Sequence, residues 1–226
     1  MISENLKKRF YTSIVLFFLF FLSFNYLSIL ILLLILIFII SLVEFFNLII
    51  KIFHKTKINS IILKFFFMCL GFFYILLFVI TIFIAINNED TKKIILFLLF
   101  ICILSDLGGI VFGKLFKGRK LSKISPNKTI SGSVGSFIFA IFLVPVINLF
   151  SDTVRYNLLE ILFFVIIISF FNQIGDLFVS YLKRKANVKD TGKILPGHGG
   201  ILDRIDGMLL AIPIGIFLWS FLNLTL

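Results

Sequence analysis

The stretch FFFMCLGFFYILLFVITIFIAI, at Phe65–Ile86, contains no charged residue over 22 positions. A helix needs about 20 apolar residues to cross the roughly 30 Å hydrocarbon core of a bilayer. The stretch is long enough to do so, and none of its side chains would carry a charge into the lipid. It therefore predicts a transmembrane helix and an integral membrane protein.

The composition of the whole chain agrees with this prediction. Of its 226 residues, 60% are hydrophobic, 15% are charged and 32 are phenylalanine. Soluble domains are roughly 45–50% apolar and about 25% charged, so a water-soluble globule is excluded. A disordered chain is excluded at this hydrophobicity. Both cysteines, Cys69 and Cys102, lie in long apolar stretches, which excludes a disulfide scaffold.

Further apolar stretches bring the predicted number of spans to about seven. As one helix, the 34 residues of Phe10–Val43 would extend about 51 Å, so the polar Ser23–Tyr26 is interpreted as a turn between two spans. The other spans are predicted at Ile94–Phe112, Gly132–Phe150, Leu158–Leu182 and Gly207–Leu224. We expect an all-α, polytopic membrane helix bundle, in which a broken or re-entrant helix would raise the count to eight or nine.

The distribution of Lys and Arg predicts the orientation of these spans. Basic residues concentrate on the cytoplasmic loops of membrane proteins. With seven spans and a cytoplasmic N-terminus, 19 of the 22 basic residues lie on the cytoplasmic side. The net charge of +11 is mostly this orientation signal, and it would attract anionic lipid headgroups and solutes. No nucleic-acid-binding module is recognisable, so no nucleic acid is expected as a partner.

The acidic residues indicate where a functional site lies. An ionisable group at membrane depth costs at least ~2.5–3.5 kcal/mol on insertion scales and is usually functional or paired. Glu44, near the inner end of the second predicted span, is interpreted as an interfacial or Lys-paired carboxylate. Five of the 11 acids fall in or beside the last two predicted cytoplasmic loops: Asp106, Asp176, Asp190, Asp203 and Asp206.

One polar cluster falls near the end of the sixth predicted span. Asp176, Ser180 and Lys183 are spaced to share one face of a helix. A purely structural interpretation is an Asp176–Lys183 pair at the mouth of the bundle. The neighbouring Asn172, Gln173 and Gly175 favour a helix face that lines a cavity instead.

A glycine-rich segment follows, from Leu195 to Asp206. Its glycines permit close backbone approach, and their amides would suit a phosphate cradle. If a helix begins near Asp203, then Asp203 and Asp206 lie in its first turn, where acids also act as caps. For Asp203 a metal role is favoured, since carboxylates from separate segments suit Mg²⁺ beside a nucleotide phosphate. For Asp206 capping and metal binding are about equally favoured, and His198 alone is more often structural than catalytic.

The preceding loop carries basic and hydroxyl side chains just before a predicted helix. Ser125, Lys128 and Thr129 there predict a phosphate-binding surface. An ordinary positive-inside loop explains the same residues equally simply. The Gly-x-x-x-x-Gly-Lys-Ser/Thr pattern of a P-loop is absent.

These motifs together resemble a known signature. The residues Ser180–Arg184, Lys189–Gly192 and Leu195–Asp206 are similar, at fixed spacing, to the signature of the phosphatidate cytidylyltransferases, also called CDP-diacylglycerol synthases. Glu44 and Ser125–Thr129 are similar to the wider pattern of this family, so the resemblance covers nearly the whole chain. The chain departs from the family near Asp106, Ser131 and Ser136.

The resemblance implies an integral membrane enzyme of phospholipid biosynthesis. It would condense CTP with phosphatidic acid to CDP-diacylglycerol and pyrophosphate, as a homodimer in the bacterial inner membrane, with Mg²⁺ and a neighbouring K⁺. Asp176, Lys183 and Asp203 are the expected catalytic residues. Mg²⁺ is expected on Asp176 and Asp203, with Asp206 as a further candidate ligand. Further residues expected to bind substrate phosphates are Ser125, Lys128, Thr129, Arg184, His198, Gly199, Gly200 and Arg204.

The predicted organisation has three consecutive regions. Residues 1–90 hold N-terminal transmembrane helices, residues 91–150 a middle transmembrane region with a basic cytoplasmic loop, and residues 151–226 the catalytic region with the signature. Two other functions stay open at this point. One is a CTP-dependent lipid kinase of the polyprenol or phytol type, which would release CDP. The other is a membrane transporter, although polarity at one end of the helices disfavours transport.

Overall fold

The computed structural model describes residues 4–54, 58–87, 89–121, 125, 128–149, 157–197 and 199–224. In these residues the chain is helical, with isolated bridges but no strands, and the all-α prediction is confirmed. The elements are α1 (Glu4–Asn25), α2 (Leu27–Ile52), α3 (Ile58–Ile86), α4 (Glu89–Phe116), α5 (Ile130–Ile141), a 3₁₀ helix (Val144–Leu149), α6 (Leu158–Lys185), α7 (Leu202–Ile205) and α8 (Met208–Leu224).

Five helical stretches in the described residues are long and apolar enough to cross a membrane, which makes the chain an integral membrane protein. They are Leu27–Ile52, Ile58–Ile86, Thr91–Phe116, Ile130–Ile147 and Leu158–Lys185. Phe10–Ser23 and Met208–Phe221 are shorter apolar stretches. The exact number of spans and the cytoplasmic N-terminus stay predictions.

The long apolar stretch near the N-terminus is interrupted within Ser23–Tyr26, the polar residues that predict a turn between two spans. Helix α1 ends at Asn25, Tyr26 is extended with φ −125° and ψ 110°, and α2 begins at Leu27. The Asn25 side chain donates to the Phe21 carbonyl at 2.8 Å, one turn back in α1. The break is therefore one residue long.

The predicted span Gly132–Phe150 is not one α-helix. Helix α5 ends at Ile141, and the chain continues as a 3₁₀ helix from Val144. Pro145 has no N–H group, and its ring disfavours the α conformation of the preceding residue. The proline therefore explains why regular α-helix does not continue.

Two compact units make up the chain. The first consists of Met1–Val79 and Leu182–Ile205, and the second of Ile80–Tyr181 and Asp206–Leu226. In the first unit, Phe45, Leu48 and Ile49 of α2 form a buried face. Gly71 of α3 makes room for the ring of Phe45, because an added Cβ would overlap that ring.

In the second unit, α4 and α5 pack through small residues. A Cβ added at Gly108 would lie 2.7 Å from Cβ of Phe139, and one added at Gly109 would lie 2.8 Å from Oγ of Ser136. Small residues let the backbones of membrane helices approach closely. Gly108 and Gly109 thus lie inside α4 and serve its packing against α5.

Candidate active site

The signature loop, residues 186–201, lies in the first unit between the end of α6 and α7. Asn187 ends α6 with a positive φ of 54°, and the Val188 amide donates back to the Lys183 carbonyl at 3.0 Å. Farther along, Leu195 and Gly199 exchange two backbone hydrogen bonds around Gly197. Gly197 and Gly199 have φ of 77° and 86°, a conformation that side-chain-bearing residues rarely adopt. These two glycines are therefore needed for the tight turn itself.

Asp203 is the acceptor at the centre of this loop. Its Oδ1 pairs with Nζ of Lys183 at 2.7 Å. Its Oδ2 accepts hydrogen bonds from the Thr191 amide at 2.8 Å and the Gly200 amide at 3.0 Å, and the Thr191 hydroxyl oxygen lies 3.0 Å from it. The Asp203 and Lys183 side chains are only 6% and 14% exposed. The predicted residues Lys183, Gly200 and Asp203 thus meet in one cluster.

The surroundings of Asp203 favour its charged form. Burial alone would raise the pKa of this carboxyl. The hydrogen bonds from Lys183 and from the Thr191 and Gly200 amides, with the charge of Lys183, outweigh burial and hold the pKa below its ordinary value. Asp203 is therefore an anion held in a fixed orientation.

Glu44 of α2 binds the same loop from another side. Its Oε2 accepts from the Thr191 hydroxyl at 2.8 Å and from the Leu202 amide at 2.9 Å, and its Oε1 accepts from the Ile201 amide at 3.2 Å. The Glu44 residue is 2% exposed, and no described Lys or Arg forms an ion pair with it. The Lys-paired interpretation of Glu44 is therefore wrong, because backbone amides and a hydroxyl supply its partners. Its position at the membrane interface stays a prediction.

The second unit holds the other predicted carboxylate, Asp176 of α6. Asp176 forms an ion pair with Lys128 and accepts a hydrogen bond from the Ser180 hydroxyl at 3.2 Å. The side chains of Asp176 and Lys128 are 27% and 29% exposed, so water reaches both partners. Since Lys183 pairs with Asp203, the alternative Asp176–Lys183 pair is wrong.

A buried amide lies one turn before Asp176. Nδ2 of Asn172 donates to Oδ1 of Asp106 on α4 at 2.8 Å, and Asp106 interacts electrostatically with Asp176 and Lys128. Asn172 is fully buried, and a Cβ added at Gly175 would lie 2.6 Å from the Asp206 carbonyl oxygen. Asn172 and Gly175 thus serve helix packing and the orientation of Asp106, and the interpretation of this helix face as cavity-lining stays a prediction.

The hydroxyl residues of the loop before α5 form local hydrogen bonds near the start of this helix. Thr129 is the N-cap, and its Oγ1 accepts from the Gly132 amide at 3.0 Å. The Ser131 hydroxyl donates to the Lys117 carbonyl. Ser125 is buried, and its carbonyl accepts from the Lys128 amide at 3.1 Å. Thr129 therefore has a capping role, and Lys128 is the member of this group that reaches an acid of α6.

The chain matches a known protein-family model over nearly its whole length. The model described as the cytidylyltransferase family matches residues 1–222. The chain belongs to the cytidylyltransferase family. Proteins named phosphatidate cytidylyltransferase from Staphylococcus haemolyticus, Staphylococcus epidermidis and Staphylococcus aureus are 43%, 44% and 41% identical to it over 129 residues. Each match covers 57% of the chain and 49% of the relative, so the chain spans about half the length of the curated relatives it matches.

In this member of the cytidylyltransferase family, five further residues of the signature are predicted to bind substrate phosphates: Arg184, His198, Gly199, Gly200 and Arg204. Arg184 and Arg204 are exposed. The Gly199 and Gly200 amides donate to the Leu195 carbonyl and to Asp203, so the predicted phosphate cradle gains no support from them. His198 lies outside the described residues.

The expectation that Asp206 lies in the first turn of a helix with Asp203 is wrong. Helix α7 has only four residues, Leu202–Ile205, and ends before Asp206. Asp206 accepts instead from the Gly207 amide at 2.9 Å, just before α8 begins at Met208. Asp206 therefore lies next to the start of α8, and its expected role as a metal ligand stays a prediction.

The donor chemistry of the two carboxylates fits Mg²⁺. No group of three or more His, Cys, Asp or Glu side chains that could hold a metal occurs in the described part of the chain. Mg²⁺ is commonly bound by one or two carboxylates, with water and substrate phosphates completing its shell, and so does not need such a group. Asp176 and Asp203 offer hard oxygen ligands, and each is neutralised by a lysine.

Proposed function

We propose that the chain is a phosphatidate cytidylyltransferase, which converts CTP and phosphatidic acid to CDP-diacylglycerol and pyrophosphate. The observation that carries most weight is the cluster around Asp203. Lys183, Thr191 and Gly200, all from the segment that resembles the family signature, contact this carboxylate. The family match and the names of the staphylococcal relatives support the same activity.

In this reaction the main tasks of the protein are to position the two substrates and to neutralise the charge of their phosphates. An oxygen of the phosphatidic acid phosphate attacks the α-phosphorus of CTP, a new P–O–P bond forms, and the bond from the α-phosphorus to the β-phosphate oxygen breaks to release pyrophosphate. The attacking phosphate is already anionic, so no strong general base is needed. In such phosphoryl-group transfers, orientation and electrostatic stabilisation supply most of the rate.

The basic residues of the signature have the chemistry to bind phosphates. The exposed Arg184 and Arg204 can each bind a phosphate with two parallel hydrogen bonds. Lys183 offers a point charge that Asp203 holds in place, and Lys128 offers another beside Asp176. We assign Lys183, Arg184 and Arg204 to phosphate neutralisation and Lys128 to the CTP phosphates, with Ser125 and Thr129 as secondary candidates.

We further propose Asp176 and Asp203 as the ligands of Mg²⁺. When bound, the ion would neutralise charge on the CTP phosphates and on the leaving pyrophosphate. The lysine partners of the two carboxylates would keep both acids neutralised before substrate arrives. The neighbouring K⁺ and the homodimer stay predictions.

The location follows from the substrates. Phosphatidic acid is anchored in the bilayer and CTP is soluble, so the site must be open to both phases. Bacterial relatives and five membrane-length helices support the bacterial inner membrane, with the site at its cytoplasmic face.

The position of the label in the product distinguishes this activity from a lipid kinase. Purified protein is incubated with phosphatidic acid, Mg²⁺ and CTP carrying ³²P at either the α- or the γ-phosphate. We expect label from the α-phosphate in the lipid fraction and label from the γ-phosphate in pyrophosphate. With polyprenol or phytol in place of phosphatidic acid, we expect no labelled lipid.

Label from the γ-phosphate in any lipid would identify a kinase and overturn the proposal. Unlabelled lipid in all reactions, with transport of a substrate into sealed vesicles, would favour a transporter. Reactions without phosphatidic acid and without Mg²⁺ are the matched controls.

A further inference from the structure

We propose that Glu44 is a positioning residue, whose buried carboxylate organises the signature loop and, through Thr191, fixes the orientation of Asp203. The effect on catalysis rests on the proposed function. The effect on the loop does not, because it follows from contacts inside the first unit.

The first step concerns the cost of burying Glu44. A carboxylate in an apolar environment is strongly unfavourable unless its oxygens are hydrogen-bonded. Glu44 is 2% exposed and lies in the membrane-length helix α2. Three donors of the loop region satisfy it, namely the Thr191 hydroxyl and the Ile201 and Leu202 amides. Burial of this acid is therefore coupled to one conformation of the loop.

The second step concerns the glycines around Glu44. A Cβ added at Gly192 would lie 2.8 Å from Cδ of Glu44, and one added at Gly200 would lie 2.6 Å from the same atom. Neither glycine has a positive φ in the range that excludes side chains. The space that their missing side chains leave is occupied by the carboxylate. Gly192 and Gly200 thus form a cradle for Glu44 rather than for a phosphate.

The third step links Glu44 to the proposed metal ligand. Oγ1 of Thr191 lies 2.8 Å from Oε2 of Glu44 and 3.0 Å from Oδ2 of Asp203. The hydroxyl has one proton, and the Thr191 amide already donates to Oδ2 of Asp203 at 2.8 Å. The arrangement is satisfied when the hydroxyl donates to Glu44 and the amide to Asp203. Thr191 then connects the two acids.

As a consequence, the two acids bind different backbone amides of the loop and of the start of α7. Glu44 accepts from the amides of Ile201 and Leu202, and Asp203 accepts from those of Thr191 and Gly200. Asp203 keeps Oδ1 toward Lys183 because its Oδ2 is held by the loop. Loss of Glu44 would release the loop, and Asp203 would lose its fixed orientation without any change to its own side chain.

Amide hydrogen exchange without substrates, followed by steady-state kinetics, tests this proposal. In Glu44→Gln, one carboxylate oxygen is replaced by an NH₂ group that faces loop donors. We expect the Ile201 and Leu202 amides to exchange about 10-fold faster or more, because they lose hydrogen bonds to a charged acceptor. We expect kcat to fall about 30-fold, with the KM for CTP changed less than about threefold, since Glu44 contacts the loop rather than substrate.

Thr191 supplies the second pair of variants. Thr191→Val keeps the shape but removes the hydroxyl, and we expect kcat to fall about 10-fold, as for the loss of one hydrogen bond to a charged group. Thr191→Ser keeps the hydroxyl and should stay within about threefold of the wild type. Ser41→Ala is the matched control, because Ser41 is buried on the same helix and its hydroxyl has no hydrogen-bond partner among the described residues. Its loop exchange and kcat should match the wild type.

Unchanged Ile201 and Leu202 exchange in Glu44→Gln would overturn the proposal. So would faster exchange throughout the first unit together with wild-type kcat in Thr191→Val, which would indicate a role in stability alone. Faster exchange confined to the loop, in a protein that makes no CDP-diacylglycerol from the start, would support the role of Glu44 in the loop and contradict the proposed function. The two ideas therefore fail separately.

Discussion

Replacement of Asp203 by asparagine should lower the rate of CDP-diacylglycerol formation by about 1000-fold or more, a loss comparable to or larger than that of one strong transition-state contact. Every described contact of this side chain is with a donor: Lys183 on Oδ1, and the Thr191 and Gly200 amides on Oδ2. An asparagine must turn its NH₂ group toward Lys183 or toward the amides. Either orientation places donor against donor and removes the charge that Mg²⁺ would need.

The measurement is the initial rate with CTP, phosphatidic acid and Mg²⁺, at equal amounts of folded protein judged by size-exclusion chromatography. Glu160→Gln is the control, since Glu160 lies in the first turn of α6, 43 residues before Asp203 in sequence, and forms no described ion pair. That variant should stay within about twofold of the wild type, because Glu160 is half-buried and forms no described ion pair, and substitutions away from buried networks are usually nearly neutral. A near-normal rate in Asp203→Asn would remove this residue from the site.

Replacement of Asp176 by asparagine should cause a loss of activity of about 100-fold to 1000-fold with little loss of stability. The Asp176 and Lys128 side chains are 27% and 29% exposed, so water screens their ion pair. Partly exposed pairs contribute about 0–1 kcal/mol to stability. Activity should suffer far more, since the proposal makes this carboxylate a metal ligand and neutral asparagine is a weaker one.

Thermal unfolding and the initial rate should be measured on the same preparation of Asp176→Asn. We expect the midpoint of unfolding to move by only a few degrees, the shift that about 1 kcal/mol causes in a chain of this size. A large drop in this midpoint, with activity lost in proportion to folded protein, would assign Asp176 a structural role and contradict the proposal.

The membrane helices could be predicted from sequence because the bilayer imposes a minimum apolar length. Phe65–Ile86 lies within α3, and the break at Tyr26 falls inside the predicted turn. Helix ends were less predictable: α4 runs from Glu89 to Phe116, beyond the predicted Ile94–Phe112. Hydropathy marks only the part of a helix that lies in hydrocarbon, and a helix can continue through charged residues outside it.

The candidate residues could be predicted, but their partners could not. Lys183 and Asp203 are recognisable from their spacing in the signature, and Asp176 from the polar cluster near the end of its predicted span. The role of Glu44 depends on donors 147 to 158 residues away in sequence, and no local pattern reveals such a contact. Gly192 and Gly200 were the available signal, since their missing side chains make room for Glu44. The amides of the glycines in Leu195–Asp206, Gly200 among them, had the more familiar interpretation of a phosphate cradle.

The small residues near Asp106 illustrate a second limit of sequence patterns. Gly108 and Gly109 lie within α4 and face α5, although glycines are also common in loops that approach a ligand closely. Close helix packing in membranes requires the same residue type. Composition alone cannot separate the two uses, whereas helix boundaries can.

Mn²⁺ binding followed by electron paramagnetic resonance tests most directly whether Asp176 and Asp203 bind the same divalent cation. Mn²⁺ is titrated into purified protein with a non-hydrolysable CTP analogue, and the titration of the nucleotide alone is subtracted. We predict one protein-bound Mn²⁺ per chain, with affinity at least about 10-fold weaker in Asp176→Asn and in Asp203→Asn, as for loss of a charged ligand, and unchanged in Glu160→Gln. Wild-type Mn²⁺ affinity in both aspartate variants would contradict the proposed metal site.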